Sequence, residues 1–226
     1  MAGRVEVDRR VVTELGTRVD PTRHEIRVDG APLPRPRRVY YAVHKPVGVV
    51  TTNRDPAGRP RVVDLVPSQR DEHLFAVGRL DLHSDGLILV TNDGEMANRL
   101  THPRYGVPKT YRVLVAGEPT GEVYGQLRRG IRLAEGVARA SQVRPIKQHR
   151  QSTLLEMVLL EGHNREIRRM LARLGHKVLR LTRIAVGPIR LGKLPPGGWR
   201  RLSAEEVESL KACCRMDRPS QGGGQP

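Results

Sequence analysis

Residues 86–92 read GLILVTN, with four large aliphatic side chains in a row from Leu87 to Val90. A run this short, this apolar and bounded by turn residues is a strand that must be buried, and a domain has to be built around it. The stretch leading into it, GRLDLHSDG at 78–86, carries Arg79, Asp81 and Asp85. A carboxylate set against a buried strand costs free energy unless something offsets its charge. Either Asp81 caps a turn, or it is held ionised for a purpose.

The rest of the chain supplies further strands. RVYYAVHKP (38–46) reads as a strand ended by Pro46, and HLFAVGRL (73–80) as another. KTYRVLVAG (109–117), TLLEMVLLEG (153–162) and KVLRLTRIAVGPI (177–189) continue the series, and 131–146 reads as two strands around Glu135-Gly136. Helices are predicted at 93–103 behind an Asn92/Asp93 cap, at 122–130 ended by Gly130, at 163–176 stopped by Gly175, and at 203–214. Strands dominate and the helices do not follow each strand at βαβ spacing. The expected architecture is therefore α+β with a mixed, mostly antiparallel sheet flanked by helices.

Residues 1–34 alternate apolar and polar between turn signals, with strands suggested at Val5/Val7, Val11/Val12, Val19 and Ile26/Val28. They form a small β module without enough large apolar residues for a core of its own. Pro32, Pro34 and Pro36 read as a linker, 38–214 as the main domain, and the low-complexity 215–226 as a disordered tail.

The charge balance narrows the partners. Lys+Arg number 40 against 24 Asp+Glu, a net +16, which favours a polyanion. An arginine-heavy composition with a merely solvated basic surface is the plainer reading, and composition alone does not separate the two. The adjacent Cys213 and Cys214 have neither disulfide nor zinc spacing and suit a reducing, cytoplasmic setting. No segment has the length of a membrane span, and the N-terminus lacks the apolar stretch of a signal peptide. The histidines show no metal spacing, and no glycine-rich phosphate loop is present, so no metal or cofactor is expected.

On the 163–176 helix, Ile167, Met170, Leu171 and Leu174 make the buried stripe. Arg168 falls on its border, while Arg165, Arg169 and Arg173 face away, where they can meet phosphates or simply water. Paired with Arg168, Asp81 would stay ionised in a cleft that otherwise raises its pKa, and could act as nucleophile or base. Tyr111 is one of only seven aromatics in the chain. It either stacks on a base or is a core tyrosine.

Three ordered stretches together resemble one family. GRLDLHSDGLILVTNDGE (78–95) resembles the catalytic motif of pseudouridine synthases, KTYRV (109–113) the tyrosine motif that follows it, and EGHNREIRRML (161–171) the third motif of the ribosomal RNA branch. VHKPVGVVTTNRDPAGRPRVVDLVP (43–67) fits the same branch, so the resemblance covers 38–205. TNDGEMANRLTHP is most similar to the group of large-subunit pseudouridine synthase B, which modifies 23S rRNA. The resemblance implies the pseudouridine synthase fold and isomerisation of a uridine in ribosomal RNA without cofactor; a monomer is expected. It makes Asp81 the essential aspartate, Tyr111 the residue packed on the target uracil, and Arg168 the partner of the aspartate. Arg79 matches an arginine that helps displace the base, and Lys109 and Arg165 fall in the motifs as substrate contacts. Glu166 stands where the family often has glutamine. Facing away from the stripe, it is expected to matter little. Residues 1–34 resemble the second half of an S4-type RNA-binding domain whose preceding helices are missing, through a later start or a truncation. More of the affinity then falls on the main domain.

Two other readings keep the same residues. A non-catalytic RNA-binding or assembly protein could retain the scaffold, although it has no need of Asp81, Tyr111 and Arg168 together. A glycosidase or nucleosidase could pair Asp81 with Asp85, although the +16 charge and the lack of a second well-placed carboxylate count against it.

Overall fold

The computed structural model describes residues 3–19, 24–33, 37–67 and 73–214. The chain divides into two compact units, Met1–Arg38 and Val39–Pro226. Pro34, Pro36 and the 215–226 tail lie outside the described residues.

The first unit is a four-stranded antiparallel sheet of β1 (Val5–Val7), β2 (Arg10–Val11), β3 (Ile26–Val28) and β4 (Ala31–Pro32), in the order β2-β1-β3-β4. None of its described residues is buried. Val19, predicted extended, falls outside any strand.

The second unit is built on β5 (Tyr40–Lys45), β6 (Phe75–Val77), β7 (Asp85–Thr91), β8 (Lys109–Ala116), β9 (Ile131–Leu133), β10 (Gly136–Ala138), β11 (Gln142–His149), β12 (Ser152–Leu159), β13 (Val178–Val186), β14 (Ile189–Arg190) and β15 (Trp199–Arg201). The helices are α1 (Gly94–Thr101), α2 (Gly121–Arg129), α3 (Glu166–Arg173) and α4 (Ala204–Cys214). The main sheet runs β11-β12-β8-β13-β7-β5-β15, with β6 beside β7 and β14 beside β13, while β9 and β10 form a separate hairpin. All pairings are antiparallel except β13 with β7. The α+β architecture with a mostly antiparallel mixed sheet is the one its strand pattern demanded.

Every residue of β7 is buried. Leu87 and Leu89 feed a core shared with α1 and α4, and Ile88 and Val90 face a second core with Tyr41, Val43, Val49 and Val62. A third core holds Ile167, Met170 and Leu171 of α3 against Val113, Val115, Leu155 and Met157 of β8 and β12. Asp93 caps α1 by accepting from the Met96 amide at 3.2 Å.

Some expectations fail at their edges. The third helix begins at Glu166, not 163, because Arg165 adopts φ 48° and closes the preceding loop. Residues 131–149 hold three strands, the third running to His149 beside β12. β15, three residues against β5, was too short to show alternation.

Gly86 sits where the parallel pair begins, at φ 113° and opposite Arg183. A Cβ there would lie 2.3 Å from the Arg183 carbonyl oxygen and 2.5 Å from its amide nitrogen. Both atoms belong to the Arg183 backbone, which cannot swing aside as a side chain can. Gly86→Ala is therefore expected to lower the unfolding free energy by about 3 kcal/mol, read from the urea midpoint at unchanged m-value.

Candidate active site

A cleft of about 880 Å³ opens beside the β6–β7 turn and the N-terminus of α3. Asp81, Arg79, Lys109, Tyr111, Arg165 and Arg183 all line it. Separate stretches of sequence thus converge here, with residues 50–59 forming a further wall.

The turn that carries Asp81 is gripped along its whole length. The Arg79 carbonyl accepts from Nη1 of Arg183 at 3.4 Å, and the Leu80 carbonyl from Oγ1 of Thr51 at 3.2 Å. The Asp81 carbonyl accepts from the Ser84 amide at 3.1 Å, and the Leu82 carbonyl from the Gly48 amide at 2.9 Å. The His83 carbonyl accepts from Nη2 of Arg168 at 2.9 Å, and the Ser84 carbonyl from Nζ of Lys45 at 2.9 Å. Every carbonyl from 79 to 84 therefore has its own donor, most of them drawn from distant parts of the chain. The backbone is immobilised while the half-buried Asp81 carboxylate forms no hydrogen bond or ion pair with any described residue. Such a carboxylate is free to meet a substrate.

Arg168 departs from the expected direct pair with Asp81. Its guanidinium donates to the carbonyls of His83 and Val178 and to Oγ of Ser84, and it does not line the cleft. It still feels the Asp81 charge: burial and the neighbouring Arg165 lower its pKa, and Asp81 opposes them. Arg168 thus acts from behind, holding the turn and contributing positive potential. The remaining predicted site residues (Asp81, Arg79, Tyr111, Arg165 and Lys109) share the cleft.

Glu166 is a further correction. It is buried at 4 % exposure and accepts from the His163 amide at 2.9 Å. Because the helix starts at Glu166, the carboxylate folds back on the loop before it and satisfies an otherwise unpaired N–H. Arg169, expected to face solvent, is clamped to Glu135 of the β9–β10 turn, with Nη1 at 2.8 Å. Asp85 is not a second catalytic carboxylate. It is buried in β7 and held by Nη2 of Arg180 at 2.6 Å.

Sequence reasoning passed over two cations. Lys45 is fully buried and gives its ammonium to the carbonyls of Pro46 and Ser84. Burial pushes its pKa down to about 8, against the pull of Asp85 and Asp81. Arg183, 4 % exposed, donates Nε to the Leu87 carbonyl at 2.7 Å. Period-two alternation along β13 places it with Leu181 and Ala185 on buried positions, and that was the available signal.

Among the described residues no cluster of three or more His, Cys, Asp or Glu is placed to hold a metal ion, and no helix is long and apolar enough to cross a membrane.

The pattern of the RNA pseudouridylate synthase family matches residues 39–173. This chain belongs to that family. A protein of Aquifex aeolicus that bears the name uncharacterized RNA pseudouridine synthase is 42% identical over 211 residues, 93% of this chain and 84% of its own length. Ribosomal large subunit pseudouridine synthase B of Bacillus subtilis is 38% identical over 93% of this chain and 86% of its own length. The protein of that name from Yersinia pestis is 40% identical over 95% of this chain and 70% of its own. A crystal structure of a pseudouridylate synthase superposes with a TM-score of 0.69 at 26% identity, covering 92% of this chain and 89% of that one. As a pseudouridine synthase the chain is an isomerase that converts uridine in RNA.

Lys109 presents a half-buried ammonium to this pseudouridine synthase cleft. Burial first, and then Arg183, lower its pKa to about 8. It is cationic below that pH and loses its charge as pH rises through it. RNA affinity at fixed salt is therefore expected to fall several-fold between about pH 7 and about pH 9, and Lys109→Arg should flatten that fall when binding is measured by filter retention.

Proposed function

We propose that the protein isomerises a specific uridine of 23S ribosomal RNA to pseudouridine, with Asp81 acting on the ribose of the target nucleotide. The observation that supports this is the Asp81 turn: a backbone tied at six consecutive carbonyls presents a carboxylate without a partner to a basic cleft. The similarity to enzymes named for large-subunit synthase B supports the choice of 23S rRNA.

The reaction breaks the N1–C1′ bond, turns the uracil and joins C5 to C1′. The C5 proton departs and N1 gains one, so atoms and electrons balance with no oxidant or reductant. Asp81 acts either as nucleophile at C1′ or as base at C2′, and both routes need it ionised. The target has to leave its stack, which costs a few kcal/mol. Tyr111 offsets this by packing on the freed uracil, and Arg79 takes the space the base vacates. Lys109 and Arg165 engage flanking phosphates, and Arg168 keeps the turn rigid. The N-terminal sheet serves as an S4-like module with RNA contacts of its own.

Two experiments test this reading. With unmodified 23S rRNA transcript, carbodiimide-dependent primer-extension stops are expected at one uridine for the native protein and at none for Asp81→Asn, while the variant keeps its RNA affinity. Equal stops in both would remove Asp81 from the chemistry, and binding without stops in the native protein would make it a scaffold. Tyr111→Ala should weaken binding of the flipped target by about 1–3 kcal/mol, roughly 5- to 150-fold in Kd, with Tyr111→Phe retaining most of it.

A further inference from the structure

Successive residues of a strand point to opposite faces of its sheet. On β8, Tyr111 lines the active cleft while Arg112 and Leu114 line a second hollow, of about 440 Å³. On β13, Leu181 and Arg183 belong to the cleft, while Arg180, Thr182 and Ile184 belong to the hollow. The alternation on two neighbouring strands places the hollow on the reverse face of the same sheet. Leu154 of β12 and Arg190 of β14 extend its lining.

We infer that this reverse face is a second RNA-binding surface, contacting phosphates of a segment distant from the target uridine. Its charged lining consists of three arginines, Arg112, Arg180 and Arg190, with no carboxylate. Arg180 is committed to Asp85 through one nitrogen yet remains 65% exposed. Arg112 and Arg190 are exposed and form no ion pair or side-chain hydrogen bond with any described residue. The carboxylate opposite Arg112 in register, Glu156, is already held by Arg144 at 2.9 Å. Two free guanidinium groups flanking a concave strip of Leu114, Leu154 and Ile184 therefore lack anions, and the polyanion this enzyme works on supplies them. An acidic protein segment would need side chains that match these positions. An RNA strand carries a phosphate at every nucleotide, and the net charge of +16 favours it further. The inference rests on RNA being the substrate but not on Asp81 chemistry.

The test uses the full chain with Arg112→Gln and Arg190→Gln together. Arg132→Gln with Arg139→Gln serves as a charge-matched control, because both of those arginines are exposed and line neither hollow. Filter binding is measured against a 23S rRNA transcript and against a stem-loop of about 20 nucleotides, which can fill the cleft but cannot also reach the reverse face. The expected result is a loss of affinity for the transcript on the order of tenfold near physiological salt. The slope of log K against log salt should become shallower by about two, with stem-loop binding and the control double variant unchanged. An equal loss on both RNAs would mean the arginines serve the cleft, and an equal loss in the control would mean only net charge matters. Unchanged binding to the transcript, including a case where an acidic peptide is captured instead, overturns the proposal. A native protein that binds the transcript in this way but forms no pseudouridine defeats the proposed reaction and leaves the surface standing.

Discussion

The site depends on a short length of backbone that cannot move. From Arg79 to Ser84 each carbonyl oxygen is taken by a donor, and three of those donors are the cationic side chains of Lys45, Arg168 and Arg183. Hydrogen bonds to charged groups contribute more than neutral ones, and in a dry setting they are costly to leave unmade. The cations are thus used structurally, as grips on main-chain oxygen, and the acidic side chain they surround stays available. Had Asp81 been locked in a bidentate pair with Arg168, a substrate would first have had to break that pair.

Burying Lys45 and Arg183 near one another, with Arg168 half-buried, is itself unfavourable, and the fold offsets it locally. Lys45 and Arg183 lie beside β7, and Asp85 at the head of that strand is buried close to Lys45 with Arg180 as its counterion. The lowered pKa of Lys45 records how incomplete this compensation is. The parallel contact of β13 with β7 makes the arrangement possible. It brings Arg183 across the strand that leads out of the Asp81 turn, and Gly86 is the residue that lets the two backbones approach that closely.

The same sheet separates two kinds of positive charge. On the cleft face Arg183 is buried and Lys109 half-buried, while Arg79 and Arg165 reach the surface. On the reverse face the arginines are exposed, and two have no partner among the described residues. Alternation along β8 and β13 thus sets basic side chains on both faces of the sheet.

Much of this was legible in the chain. The apolar run at 87–90 demanded a buried strand, the Asn92/Asp93 cap located α1, and the three motifs brought Asp81, Tyr111 and Arg165 into one cleft. Those features depend on local spacing, which a linear string carries in full. Glu166 was misread because its facing depends on where α3 begins, and a single left-handed residue, Arg165, shifts that start by about one turn. Lys45 was passed over because nothing nearby marks it, and Arg183 because its only mark is the alternation of its own strand. Each has a partner carbonyl far off in the chain, 39 residues away for Lys45 and 96 for Arg183, and a carbonyl has no residue-type signature. The sequence by itself thus determined the class of fold and the family. Tertiary structure alone decided that Arg168 grips a turn instead of a carboxylate, and that the sheet has a second basic face, because both follow from which distant strands lie side by side.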